Sequence, residues 1–357
     1  VMIFEVGPLR TESGGVDFEL IRRGVGALLH RVQRYRQKLK WTPLFDHPVW
    51  VDAPDFNIDY HMRHASLPRP GGIDQLKRMS ARIMSQQLDR ARPLWELWVV
   101  EGLEGDRFAT ISKMHHCMID GSSGVDLAQI LLSLTPEYEI SEAPPFMPRP
   151  APTPGELLRE ELLRRAGLPL RALRGYREFR RETRDLSAEL RMRARAVAEL
   201  AGWAIQPASE TPINGDTTPH RRFDWLPMSL ADVKSVRKAA GCTVNDVILT
   251  TVSGAVREYM KLRNADPAEL DFRVSAPVSV RREEERGKLG NRVSSWIVQL
   301  PLGESDPVER LHAIHAATQR LKQSKQALGV EMMMQIAEWT PPVLLSLGAQ
   351  AASGPIN

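Results

Sequence analysis

The stretch Met114-His115-His116-Cys117-Met118-Ile119-Asp120-Gly121 gathers two imidazoles, a thiol and a carboxylate into one short segment. Histidine is the side chain best suited to exchange a proton near neutral pH, and a positioned base contributes about 10²–10⁴ in rate. The pair lies where a strand pattern gives way to a loop. Side chains alternate across a strand, so His115 and His116 are expected on opposite sides, with only one entering a given site. Asp120 followed by Gly121 fits a tight turn that would fix the loop holding the imidazole. Composition alone fits two structural histidines at a strand end equally well. A metal site would use His and Asp ligands, but no third ligand lies nearby in sequence. Neither His61/His64 nor His312/His315 has the spacing of a zinc motif, so no metal is expected. A Ser-His-Asp triad lacks its Gly-x-Ser-x-Gly elbow.

The elements that must carry this segment can be read from periodicity. Phe18 to Leu39 has apolar residues at three-to-four spacing and predicts a helix, as does Gly72 to Leu88. Leu94 to Val100 and Phe108 to His115 read as strands, and the turn-rich residues 101–107 make them a hairpin. Ser122 to Leu134 predicts a helix after the histidines. Residues 142–155 are rich in proline, which lacks an amide hydrogen and disfavours helix before it, so a semi-rigid spacer is expected. An Arg-rich segment comes next, with Phe179, Thr183, Leu186, Leu190, Ala194 and Val197 on one helical stripe. Further on, Ser229 caps a helix ending at Gly241, and Thr243 with Asp246 starts another that runs to about Leu262. Phe272 to Val280 and Arg292 to Leu300 read as strands. Asp306 to Leu328 is a long helix, and Glu331 to Ala352 is helical but broken at Pro341-Pro342.

Length and composition set the frame. A chain of 357 residues with 42% hydrophobic and 26% charged residues is a globular chain of two or three domains. No run reaches the roughly 18 apolar residues of a membrane span. Two cysteines are too few for a disulfide framework, and a reducing compartment is the default. The net charge of +4 equals the excess of twelve Arg over eight acidic residues within 156–200. This pattern lacks the clustered Lys and Arg with stacking aromatics of a nucleic-acid surface, and no nucleic-acid partner is expected. The chain shows no signal peptide, opens without an initiator Met in a strand-like run, and reads as a fragment.

His115-His116-x-x-x-Asp120-Gly121 resembles the HHxxxDG motif of the chloramphenicol-acetyltransferase-like superfamily. Four more blocks resemble the bacterial wax ester synthase/diacylglycerol acyltransferase family within it. Arg92-Pro93-Leu94-Trp95-Glu96 looks like its PLW motif, and Thr243-Val244-Asn245-Asp246-Val247-Ile248-Leu249 like its ND motif. Pro277-Val278-Ser279-Val280-Arg281 and Gly290-Asn291-Arg292-Val293-Ser294 match two further blocks. The resemblance covers nearly the whole chain, but the opening block is missing. The chain also stops at Gly354-Pro355-Ile356-Asn357, before the C-terminal strand block usual in such proteins.

The resemblance implies an α/β fold of two chloramphenicol-acetyltransferase-like domains, each a mixed sheet with helices, joined by a Pro-rich and Arg-rich helical linker. The expected divisions are 1–141, a linker over 142–219, and 220–357. It implies an O-acyltransferase that moves a long-chain acyl group from acyl-CoA to diacylglycerol or a fatty alcohol, giving triacylglycerol or wax ester. Acyl-CoA is then a substrate, and no cofactor is expected. His116 would act as general base, with His115 and Gly121 supporting the loop. Asp120 would point away from the substrate and pair with an Arg, for which Arg281 is the candidate. Asn245 and Asp246 either satisfy free amides at a helix start or lie at the site, where Asn245 would help hold an oxyanion, a role worth roughly 3–4 kcal/mol. Ser279 either donates to substrate or sits on a strand. Trp95 of the PLW block is expected to pack.

A chain of about 15 methylenes carries about 12 kcal/mol of transfer energy, so such an enzyme needs an apolar corridor and a lipid surface. His116 is expected at the mouth of that corridor, where the two domains meet. Met332-Met333-Met334 and Val343 to Leu347 would form a flexible apolar wall or ordinary core. The Arg-rich helix would lie on anionic lipid or serve as a solvated connector. A cytoplasmic protein peripheral to the inner membrane or to lipid inclusions is the expected setting. Rival readings are a condensation-type or other acyltransferase with a carrier-bound donor, and a non-catalytic lipid-binding or scaffold protein.

Overall fold

The computed structural model describes residues 1–118, 132, 140, 142–167, 170, 208–279, 293–323 and 357. The helix expected over Ser122 to Leu134 (all but Leu132), the Arg-rich stripe and everything from Glu331 to Ala352 lie outside the described residues. The chain divides into two compact units. Val1–Ala166 with Thr217–Trp225 form the first, and Gly167–Asp216 with Leu226–Asn357 the second.

The first unit is built on a four-stranded sheet in the order β1 (Met2–Glu5), β6 (Arg107–Met114), β5 (Trp95–Leu103) and β4 (Met62–Ser66). β6 is antiparallel to both β1 and β5, whereas β4 runs parallel to β5. The sheet is mixed, and its two central strands are buried on both faces. Trp95, Leu97, Val99 and Phe108 join a core with Val6, Leu29 and Tyr35. Val100, Ala109 and Ile111 face the other way, against Leu76 and Ile83 of α3 (Ile73–Ser85). A strand covered on both sides reads as a near-continuous apolar run, which explains Trp95 to Val100. The hairpin joining β5 to β6 bulges between Val100 and Leu103, where Gly102 has φ 78°. A Cβ on Gly71 would meet the Gly102 carbonyl oxygen at 1.9 Å, so the loop before α3 rests directly on the bulge.

The helix expected from Phe18 to Leu39 is shorter. α1 (Phe18–Leu28) is capped by Asp17, whose carboxylate accepts from Leu20 N, and it stops at Leu28. Two 3-10 turns come next, and then β2 (Gln37–Trp41) pairs with β3 (Pro48–Asp52). The turns keep Leu29 and Tyr35 in the core, so the helical apolar spacing continues past the helix end. The ladder then takes over, and the Gln37 side chain donates to Asp52 at 2.9 Å.

The proline-rich segment is also more firmly held than a spacer. Lys40 Nζ donates to Pro152 O at 2.6 Å, and Arg149 donates to the Asp52 carboxylate from both backbone and guanidinium. Hydrogen bonds from Arg149 hold the Asp52 carboxyl well below its ordinary range, against burial. α4 (Pro154–Ala166) then begins on a proline, which is preorganised for a first helical position. Thr153 and Glu156 exchange side-chain to backbone bonds at its start.

In the second unit, α5 (Leu230–Ala240) runs from the Ser229 cap to Gly241 at φ 63°, and α6 (Val244–Leu262) starts at Thr243, both as the sequence predicts. β7 (Phe272–Ser279) and β8 (Val293–Leu300) form an antiparallel pair. α7 (Pro307–Gln323) packs on α6 and β8. Met260, Phe272, Val298, Leu300, Leu302 and Ile314 form the core.

Candidate active site

β6 ends at Met114 and gives way to a 3-10 turn, His116–Met118. Strand alternation therefore does not extend through the histidine pair. His115 is the hinge instead. Its backbone N–H donates to Leu94 O at 3.0 Å, its carbonyl accepts from Met118 N at 3.0 Å, and its Nδ1 accepts from Cys117 N at 3.2 Å. The His115 ring is thus tied to the turn it starts. His116 stands at the turn's first position, and both imidazoles are exposed. The Cys117 thiol is pushed up by desolvation, against its own backbone amide, Arg34 and Arg90, so it is not an activated nucleophile.

The PLW block holds the strand end. Trp95 lies opposite Met114 in the β5–β6 register, so Pro93-Leu94-Trp95 and Met114-His115-His116 are neighbours in space. Leu94 and Trp95 are 1% and 2% exposed. Trp95 Nε1 donates to Tyr35 O at 2.8 Å, and the Tyr35 hydroxyl donates to Met114 Sδ at 3.3 Å. Trp95 packs, as its sequence context suggests. Sequence reasoning did not place Trp95 beside the histidines, because register is a property of pairing and not of spacing. A small apolar cavity lies behind Tyr35, Trp95 and Met114.

The Asn245-Asp246 pair begins α6, with Thr243 as N-cap. Its two members part company. Asn245 is exposed, whereas Asp246 is only 1% exposed. The Asp246 carboxylate accepts from Thr243 N at 2.9 Å, from His315 Nδ1 at 2.8 Å and from Thr318 Oγ1 at 2.7 Å. In return Thr243 Oγ1 accepts from Asp246 N at 3.2 Å, which completes a capping box. Burial pushes the Asp246 carboxyl up, but the bonds from His315, Thr243 and Thr318 outweigh it and hold it at about 2. Asp246 therefore does structural work, and an acceptor so engaged has little left for substrate. Of the pair, Asn245 is the member left accessible to a ligand. In sequence, His315 stands out only as half of a failed zinc pattern, and Thr318 does not stand out at all. Their shared face on α7, three residues apart, is the available signal.

Ser279 ends β7, paired with Val293 through the backbone. Its side chain, and Asp120, Gly121 and Arg281 entirely, lie outside the described residues. Among the described residues no three or more His, Cys, Asp or Glu side chains gather as a metal site requires. Nor is any single helix there long and apolar enough to cross a membrane.

The structure superimposes on the wax ester synthase/diacylglycerol acyltransferase from Marinobacter aquaeolei VT8 with a TM-score of 0.55 and 23% identity, covering 90% of this chain and 66% of that one. It also matches the first condensation domain of the calcium-dependent antibiotic synthetase, with a TM-score of 0.53, 15% identity and coverage of 87% and 67%. Both likenesses concern the fold, which is of the chloramphenicol-acetyltransferase type.

Sequence comparison is more specific. The wax ester synthase/diacylglycerol acyltransferase catalytic domain matches residues 5–248, and the C-terminal domain of the same family matches 289–356. The chain belongs to this family. It is 32% identical to the tgs1 protein of Mycobacterium tuberculosis, provisionally named a diacylglycerol O-acyltransferase, over 92% of this chain and 69% of that protein. A second M. tuberculosis protein with the same provisional activity is 32% identical over 88% of this chain and 66% of its own length. The chain thus spans about two thirds of the length of these relatives.

Proposed function

We propose that this protein is an O-acyltransferase that moves a long-chain fatty acyl group from acyl-CoA to diacylglycerol or a fatty alcohol. Family membership supports the reaction class. The observation that carries the reading is the exposed His116 imidazole, set on the first turn beyond a buried central strand. In the proposed step His116 takes the proton of the acceptor hydroxyl as that oxygen bonds to the thioester carbonyl carbon. The tetrahedral intermediate collapses, the carbon–sulfur bond breaks, and His116 returns the proton to the CoA thiolate. One ester forms, one thioester is lost, and His116 ends as it began. His115 serves the loop, in keeping with its bonds to Cys117 and Met118. Asn245 donates its amide to the developing oxyanion, and Asp246 fixes the helix start from which Asn245 projects.

A lipid acceptor calls for a lipid surface, so we place the protein peripherally on a membrane or lipid inclusion. Exposed Leu226, Met228 and Leu230 before and at the start of α5 are apolar groups available to such a surface.

The test is release of free thiol from palmitoyl-CoA, with and without an added alcohol, and then product analysis over a panel of diacylglycerol and fatty alcohols. Acceptor-dependent thiol release with a matching ester product is the expected result. Activity with a carrier-bound acyl donor and none with palmitoyl-CoA would overturn the donor assignment.

A further inference from the structure

A buried histidine that the reaction does not use sits two contacts away from His116. His61 closes the short helix α2 (Ile58–His61) and is 1% exposed. Its ring lies between Phe56, at 5.3 Å and 13°, and Trp95, at 4.7 Å and 15°. Its Nδ1 is 2.8 Å from Trp95 O. Burial pushes the imidazole down. A neutral ring can donate from Nδ1 to that carbonyl.

The place of this bond in the sheet is what gives it meaning. Carbonyls alternate in direction along a strand. Leu94 O points toward β6, where it accepts from His115 N, so the next carbonyl, Trp95 O, points toward β4. The β4–β5 ladder, however, begins only at Met62 opposite Leu97, so no residue of β4 lies opposite Trp95. The His61 side chain supplies the missing ladder bond. The Leu94-Trp95 dipeptide is therefore gripped from both edges, by His61 on one side and by the backbone of His115 on the other. Trp95 Nε1 to Tyr35 O and Tyr35 Oη to Met114 Sδ close the ring of contacts.

We propose that His61 is a positioning residue for the histidine turn, acting through Leu94-Trp95 to fix where β6 ends and where His116 is presented. The proposal rests on the reading of His116 as general base. Misplacing a catalytic group by about an ångström costs up to about a hundredfold, so loss of this bond should lower kcat and leave donor KM little changed.

His61→Phe keeps an aromatic ring between Phe56 and Trp95 and removes the donor. His61→Asn keeps a donor near the Nδ1 position and removes the ring. In the full-length protein, assayed by thiol release from palmitoyl-CoA well below the unfolding midpoint, His61→Phe should lower kcat about tenfold or more. His61→Asn should restore most of that rate. In a His116→Ala background, His61→Phe should cost little further, because the route through His116 is already gone. Parent-like kcat in His61→Phe, with His116→Ala inactive, would overturn the proposal and leave the base assignment standing. An equal proportional loss in both backgrounds would also overturn it, assigning His61 to stability alone. Parent-like turnover in His116→Ala would overturn the base assignment itself, and with it the route through which His61 acts.

Discussion

The two units present their chemical groups in different ways. In the first, His116 stands on a turn at the end of a sheet buried on both faces; the adjacent His115 anchors that turn, and further bearings come from aromatic contacts distant in the chain. In the second, Asn245 stands on the first turn of α6, and its immediate neighbour Asp246 supplies the bearings through a buried carboxylate. Around His116, part of the support comes across strands, from Leu94 and Trp95. At the start of α6 an exposed polar group and its buried support share one dipeptide. Adjacent residues of a motif can therefore belong to different jobs, and burial tells them apart.

The largest expected effect comes from removing both accessible groups. His116→Ala combined with Asn245→Ala should lower turnover by at least about 10³-fold, since a general base and an oxyanion donor are each typically worth about 10² or more. A folded double variant within about tenfold of the parent would mean that neither group serves the reaction.

The next contrast lies inside the dipeptide. Asn245→Ala should lower kcat about a hundredfold with little change in unfolding free energy. Asp246→Ala should do the reverse at first hand, destabilising the second unit by about 1–2 kcal/mol through a lost cap and the loss of the carboxylate that accepts from His315 and Thr318. Chemical denaturation beside kinetics separates the two. An Asp246→Ala protein with parental stability would break the distinction.

The same carboxylate sets a pH signature of smaller size. Its folded-state value, about 2, is below the ordinary value of 3.8. A group depressed on folding contributes stability above its unfolded value and loses it as pH falls through the folded one. The stability gap between the parent and Asp246→Asn should therefore narrow as pH drops from about 4 to about 2. A gap constant over that range would show that the carboxylate's charge is not what holds the helix start.

Much of this arrangement is legible in the residues. Capping signals are local, so Ser229, Thr243 and Gly241 mark their helices. The two strands of the β5–β6 hairpin stand out because turn residues separate two apolar runs. Three things are not legible. The end of α1 is hidden because 3-10 turns continue the same apolar spacing. The anchoring of the proline-rich segment depends on Asp52 and Lys40, about a hundred residues earlier in the chain. The juxtaposition of Trp95 with Met114, and of His315 with Asp246, arises from pairing and packing between distant segments, which periodicity does not encode. The motif resemblance identifies His116 and Asn245 as a set. It gives the oxyanion role to Asn245, but that Asp246 is tied up with His315 and Thr318 is seen only in the structure.

The central claim is that His116 carries the proton in acyl transfer. Its most direct test is the rate of thiol release from palmitoyl-CoA by the His116→Ala protein with diacylglycerol present, its fold verified by circular dichroism. A fall of at least about a hundredfold is the predicted result, and a folded variant that keeps a near-parental rate would contradict it.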